Sequence, residues 1–327
     1  MQRFLNSTNY TSIAIYPTGT GYSISGNLAS PLIDLNGAGN ITIDGRVNAT
    51  GSTQDLIISN LNTSGTSNTA TIRLINSAAN NLFKYLTIKG GATGIYSGII
   101  LFASTSSGNG NSGNVIDNCN ITGLDAVNRP YYGIYSYGTS GHENKNNTIS
   151  NNNIFNFLSP TLGASYGIKV DVNSTDWIIT SNSLYETTSF SPNGNHTFFG
   201  IKIGNSLGNN FIISSNSIGG SASNCSGSPW IVNGNFAYRF YCIHIDAGTT
   251  TASSIQNNTL KNFSFTGGSD IPWMGIDINS GSANIGTISG NTIGEISGTG
   301  SVTLSAPVAS ASASVTGGGG GEQYCDQ

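Results

Sequence analysis

Along this chain a short motif, aromatic-Gly-Ile, is followed by residues that change in chemical kind from one repeat to another. In order these are Ile100, aligned through Gly98, then Tyr135, Lys169, Lys202, His244 and Asp277; two positions farther on stand Phe102, Tyr137, Asp171, Gly204, Asp246 and Asn279. A lysine beside carboxylates can remove the proton next to a carboxylate, as at C5 of a uronate, when an acidic cluster or a calcium ion neutralises the substrate's charge. In that chemistry Lys202 or Lys169 is the base, His244 shuttles the proton, and Asp171, Asp246 and Asp277 orient the sugar or hold calcium. Paired carboxylates at the same place would instead hydrolyse a glycosidic bond. Tyr131, Tyr132, Tyr135 and Tyr137 offer a wall on which a sugar could stack, and Trp230 offers a further exposed platform. The competing explanation is structural. Outward strand positions need polar residues, and Lys, Asp and His facing one another across strands are ordinary pairs worth roughly 0.2–1 kcal/mol.

A repeat must position these residues. The motif glycines, with Cys242 in one slot, step by 35, 34, 33, 42 and 33 residues from Gly98 to Gly275. A second motif, Ile-x-x-Asn-x-Ile/Leu, centres on Asn152, Asn182, Asn216, Asn258 and Asn291, with Cys119 in the same slot one repeat earlier. Both runs alternate with period two and are too short for helices, so they read as strands. One such unit cannot bury its own apolar side, whereas stacked units can. The spacing therefore predicts an all-β fold, a right-handed parallel β-helix (a solenoid) of about 33 residues per repeat, its rungs about 4.8 Å apart. The five asparagines are expected to form an internal ladder, each amide donating to one neighbour and accepting from the other. That role makes them structural rather than catalytic.

The same pattern sets the domain organisation: a single β-helix over 1–302, with looser coils over 1–97 and regular coils over 98–302. The step of 42 marks a side-loop insertion at 219–241, which contains Cys225, Trp230 and Arg239. Residues 303–327, rich in Ser, Ala and Gly, read as a linker or tail, and the start at Met1 with this finish suggests a piece of something longer.

Composition narrows the function. Of 327 residues, 11 are Lys or Arg and 15 Asp or Glu, and 44 are Gly; charged residues at 8% are far below the roughly 25% of ordinary domains. Helical bundles laced with ion pairs are excluded, and no basic stripe exists to neutralise a nucleic-acid backbone. No apolar run approaches the roughly 18–20 residues that span a bilayer. The four cysteines lack the CxxC spacing of a zinc site. A Cys225–Cys242 bridge is one reading, and small buried residues in repeat slots, as for Cys119 and Cys242, is the other. His142 and His196 fall in Gly/Asn-rich loops and are expected to be solvated.

Four stretches, LIDLNGAGNITIDGR (32–46), NNTISNNNIFNF (146–157), DWIITSNSLY (176–185) and TTASSIQNNTL (250–260), resemble the pectin-lyase-like β-helix repeat domains of large secreted and surface proteins of Bacteroidetes, over roughly residues 30–300. The resemblance implies a secreted, cell-surface-attached or filament-like protein of the kind exported by the type IX secretion system. It supplies no catalytic set. The reading adopted is an extracellular structural or adhesin module that could bind a carbohydrate or cell-surface polymer and assemble head to tail through uncapped end rungs. A polysaccharide lyase or glycoside hydrolase on the Lys169/Lys202/His244/Asp277 face is the alternative. No cofactor is called for beyond a calcium ion.

Overall fold

The period-two runs fold as short strands in the structure, a computed structural model that describes residues 10–161, 163–267, 272–295 and 300–305. Helix among the described residues is confined to the 3-10 turns Val47–Ala49 and Ser223–Cys225. The strands enter three sheets in rotation, two of nine strands and one of eight. One circuit runs through Thr148–Ser150, Asn153–Phe155 and Ala164–Val170, and the next begins at Ile178–Thr180. Each strand pairs in parallel with its counterpart one circuit on, so that Ile149 meets Ile179 and Ile154 meets Leu184. The protein is all-β, built of long parallel sheets, an arrangement compatible with a parallel β-helix. Among the described residues no helix is long and apolar enough to cross a membrane.

The core is a set of isoleucine columns. Ile116, Ile149, Ile179, Ile213 and Ile255 follow one another in register and are fully buried, each contributing about 1.5–3 kcal/mol of burial. At Gly133, Gly167 and Gly200 the rung above requires glycine, although Cys242 fills the same slot one rung farther on. A Cβ on Gly133, Gly167 or Gly200 would lie 2.5, 2.7 and 2.7 Å from the next rung's carbonyl oxygen, closer than van der Waals contact allows.

Between the two nine-stranded sheets the chain turns through one left-handed residue, Asn118, Asn151, Ser181, Ser215 and Asn257 in successive circuits, with φ from 52° to 57°. Asn and small polar residues tolerate that region best after glycine. The residue that follows points inward. Asn182 donates to Asn216 Oδ1 at 3.0 Å and to the Ile149 carbonyl at 2.9 Å, while its Oδ1 accepts from the backbone and side-chain amides of Asn152 at 3.0 Å. The column runs from the Cys119 backbone N–H to Asn291. Asn81, Asn114 and Asn147 form a second such column, and Asn111 with Asn144 a third. These were not singled out from the sequence, although their 33-residue spacing is a readable signal.

The aromatic-Gly-Ile motif misaligns one rung. Ile100 pairs with Ile134 and faces the core, and Leu101 pairs with Tyr135 and takes the outward place. Phe102 likewise turns inward, edge-on to Trp177 at 4.8 Å. The segment 219–241, read as a side loop, holds a strand. Trp230–Asn233 pairs with Phe263–Thr266, which pairs with Val302–Ser305, making a separate three-stranded sheet that takes in residues 303–305. Its alternation explains this, because Trp230 and Val232 are buried and Asn233 is exposed. The rest of the expected tail, with Cys325, lies outside the described residues.

Candidate functional site

The outward face of the eight-stranded sheet is assembled by register. Tyr132–Ser136, Ala164–Val170, His196–Gly204, Tyr238–Asp246 and Trp273–Ser280 are successive strands. Pairing aligns Tyr135 with Lys169, Lys169 with Lys202, Lys202 with His244, and His244 with Asp277. Beside this column Tyr132, Tyr166, Phe199 and Tyr241 stack ring on ring at 5.1, 4.9 and 4.9 Å.

Most of the charges here are matched. Lys169 Nζ lies 2.6 Å from Asp171 Oδ2 and over the rings of Tyr166 and Tyr135 at 5.2 and 5.3 Å. His244 is fixed between carboxylates, Nδ1 at 2.6 Å from Asp277 and Nε2 at 3.1 Å from Asp246, and as imidazolium it donates to both. Asp246 also accepts from Asn279 at 2.6 Å and Ser280 at 3.2 Å. Lys202 differs. Among the described residues it has no carboxylate at ion-pair distance; its ammonium sits 4.6 Å from the Phe199 ring centre. Burial, and after it the charge of Lys169, hold Lys202 below its ordinary 10.5.

No family model, curated protein or solved structure matches this chain. The resemblance drawn from the sequence therefore rests on the repeat and the long parallel sheets.

Several expected site residues sit elsewhere than on a ligand-facing surface. Tyr135 is 3% exposed, stacked on Tyr132 at 4.2 Å and 9° within a small outer cluster with Ala70, Leu101 and Ala103. Its hydroxyl donates to Asp171 at 3.3 Å. Tyr137 is half-buried and donates to Asn68 Oδ1 at 3.1 Å. These rings spend their faces on one another rather than on a sugar. Trp230 is fully buried among Phe157, Phe240 and Phe263, so it offers no platform. His196, expected in solvent, is buried and stacks on Phe198. Cys119, Cys225 and Cys242 are buried free thiols, so Cys225 and Cys242 are not bridged. Burial pushes Cys119 up to about 12 and Cys225 up to about 11, far from a reactive thiolate. Among the described residues no group of three or more His, Cys, Asp and Glu side chains is arranged to hold a metal ion. Asp171 is engaged by Lys169, and Asp246 and Asp277 by His244.

The balance on Asp246 makes the face acid-sensitive. Burial raises its carboxyl, but hydrogen bonds from Asn279 and His244 outweigh this and hold it below the ordinary 3.8. A carboxylate depressed by folding contributes stability that is present above 3.8 and is lost as pH falls through the folded value. Thermal melts between pH 5 and pH 2 should show a steeper fall in Tm for the wild type than for Asp246→Asn. Equal slopes would mean that this carboxylate adds nothing.

Sequence reasoning missed a second polar arrangement. Arg129 and Glu186, 57 residues apart, form a buried ion pair, Glu186 also accepting the backbone N–H groups of Phe157 and Leu158 at 2.9 and 3.0 Å. Nothing in either residue's local sequence marks it.

Proposed function

We propose that this chain is a right-handed parallel β-helix module, about 33 residues to a coil, of an extracellular or cell-surface protein. It acts as a rigid adhesive scaffold and holds a carboxylate-bearing glycan along the Lys169/Lys202/His244/Asp277 face. The observation that carries this reading is Lys202, which register sets mid-column between Lys169 and His244 and which, among the described residues, has no carboxylate at ion-pair distance. Rigidity is supported by the buried asparagine columns, and binding by Lys202, a cation held against Phe199 with no carboxylate at ion-pair distance among the described residues. An anionic sugar would complete its pairing at a charge-assisted bond worth about 1.5–3 kcal/mol. Isothermal titration with polygalacturonate and alginate, against dextran as the neutral control, tests this. Lys202→Ala should weaken binding of the acidic polymers about tenfold or more and leave dextran unaffected. Equal titrations for wild type and variant would overturn it.

One observation favours a second reading, polysaccharide lyase activity. Lys202 is the cation on this face whose proton is made easier to lose by its surroundings, as a general base requires. A lyase would release unsaturated uronate products absorbing in the ultraviolet, at a rate rising with pH as Lys202 deprotonates and vanishing in Lys202→Ala. No absorbance change on polyuronates, with or without calcium, leaves the scaffold reading.

A further inference from the structure

A walled cleft lies on a different sheet from the charged face. Leu86–Gly90, Asn120–Thr122, Asn153–Phe155 and Ser183–Tyr185 are successive strands of one nine-stranded sheet. Phe155 and Tyr185 stack face to face at 5.1 Å and 4°. On the other side of Phe155 the next rungs carry Thr122 and then Lys89. The aromatic column therefore stops at Phe155, and among the described residues no second ring covers it. The space left is about 380 Å³, bounded by Phe155, Thr122, Asn120, Asn156, Lys89 and the segment 123–129.

That segment is held from both ends. Asp125 Oδ1 accepts the N–H groups of Val127 and Asn128 at 2.8 and 2.7 Å, and Arg129, 3% exposed, is clamped by Glu186 and by the Ala126 carbonyl. A wall already ordered costs no loop entropy when a ligand enters. The lining combines one aromatic ring with amides and hydroxyls, and its solvent-facing charges, Lys89 and Asp125, are of opposite sign. Such a surface suits a molecule with a C–H face and many hydroxyls and gives a charged ligand no net advantage. The volume lies at the low end of small-molecule pockets.

We propose that this cleft is a saccharide-binding subsite for one or two neutral hexopyranose rings. A ring stacks on Phe155, and its hydroxyls bond to Asn156 and to Thr187, which also lines the cleft and whose hydroxyl donates to Asn156 Oδ1, and to Asn120 beside its bonds to Gln54 and Asn153. This site is independent of the reading of the charged face. Saturation-transfer NMR on the full chain with cellobiose, maltose, lactose and N,N′-diacetylchitobiose tests it. At least one should receive transfer, strongest on the protons of one ring face. Thr122→Phe extends the aromatic column into the cleft and should abolish the signal; Phe155→Leu keeps bulk without a π face and should weaken binding about tenfold. Far-UV circular dichroism and the melting midpoint show that both variants fold. No transfer from any of the four sugars, or transfer that survives Thr122→Phe in a folded protein, would overturn the proposal.

Discussion

Asn182→Ala should cost about 4 kcal/mol or more and move the urea midpoint far below that of the wild type. The side chain is 1% exposed and sits mid-column, so its removal orphans groups on both sides. The Asn152 backbone N–H loses its acceptor and the Asn152 amide one of its two, the Ile149 carbonyl loses the amide donor, and Asn216 Oδ1 keeps the backbone N–H of residue 182 alone. Each buried polar group left without a partner costs about 1–3 kcal/mol. Asn291→Ala is the control. It stands at the column's end and half-exposed, donating to the Ile255 carbonyl and accepting from Asn258, so solvent can compensate and the loss should be about 1–2 kcal/mol. Equal costs at the two positions would show that the column does not act as a buried network.

Arg129→Met should destabilise the protein by about 3–5 kcal/mol at neutral pH, because it leaves the Glu186 carboxylate buried without its counter-ion. Glu186 is 1% exposed. Burial already pushes its carboxyl above the ordinary 4.5, against the opposing pull of Arg129 and the backbone N–H groups of Leu158 and Phe157. Without Arg129 the folded state gains a proton more readily than the unfolded state does. A carboxyl raised in the folded state binds extra protons below its folded value, so stability rises as pH falls toward 4.5. The deficit of Arg129→Met should therefore be greatest near pH 7 and shrink toward pH 5, read from urea midpoints. A deficit independent of pH would mean that lost packing, not the bare carboxylate, sets the cost. The same variant frees the segment 123–129 and should also weaken any saccharide held beside Phe155.

Much of the architecture is legible in the residues. The Ile-x-x-Asn-x-Ile run encodes a strand, a left-handed turn residue, an inward amide and a second strand, all within six positions. A local pattern of that kind needs no distant partner to be read. Glycine before the motif isoleucine is legible too, although the reason for it, a carbonyl 2.5–2.7 Å from any Cβ, belongs to the rung above. At Gly98 the motif misleads, because the sequence there offers two isoleucines in succession and only strand pairing chooses between Ile99 and Ile100.

The candidate site was legible as a column and not as a set of contacts. Spacing alone brought Lys169, Lys202, His244 and Asp277 to one face, since in-register parallel pairing places equivalent residues of each repeat side by side. Which charges neutralise one another was not readable: Lys169 takes Asp171 from its own strand, while His244 reaches both Asp246 on its strand and Asp277 on the next. By itself the sequence determined the period, the inward isoleucines and asparagines and the face that carries charge, because these follow from a short repeat. Only the tertiary structure decided that Tyr135 and Trp230 are covered, that residues 219–241 contain a strand, and that Arg129 meets Glu186 to wall a cleft. Those outcomes depend on side chains from different circuits meeting in space, and a repeat pattern does not encode how far a loop leans over its neighbours.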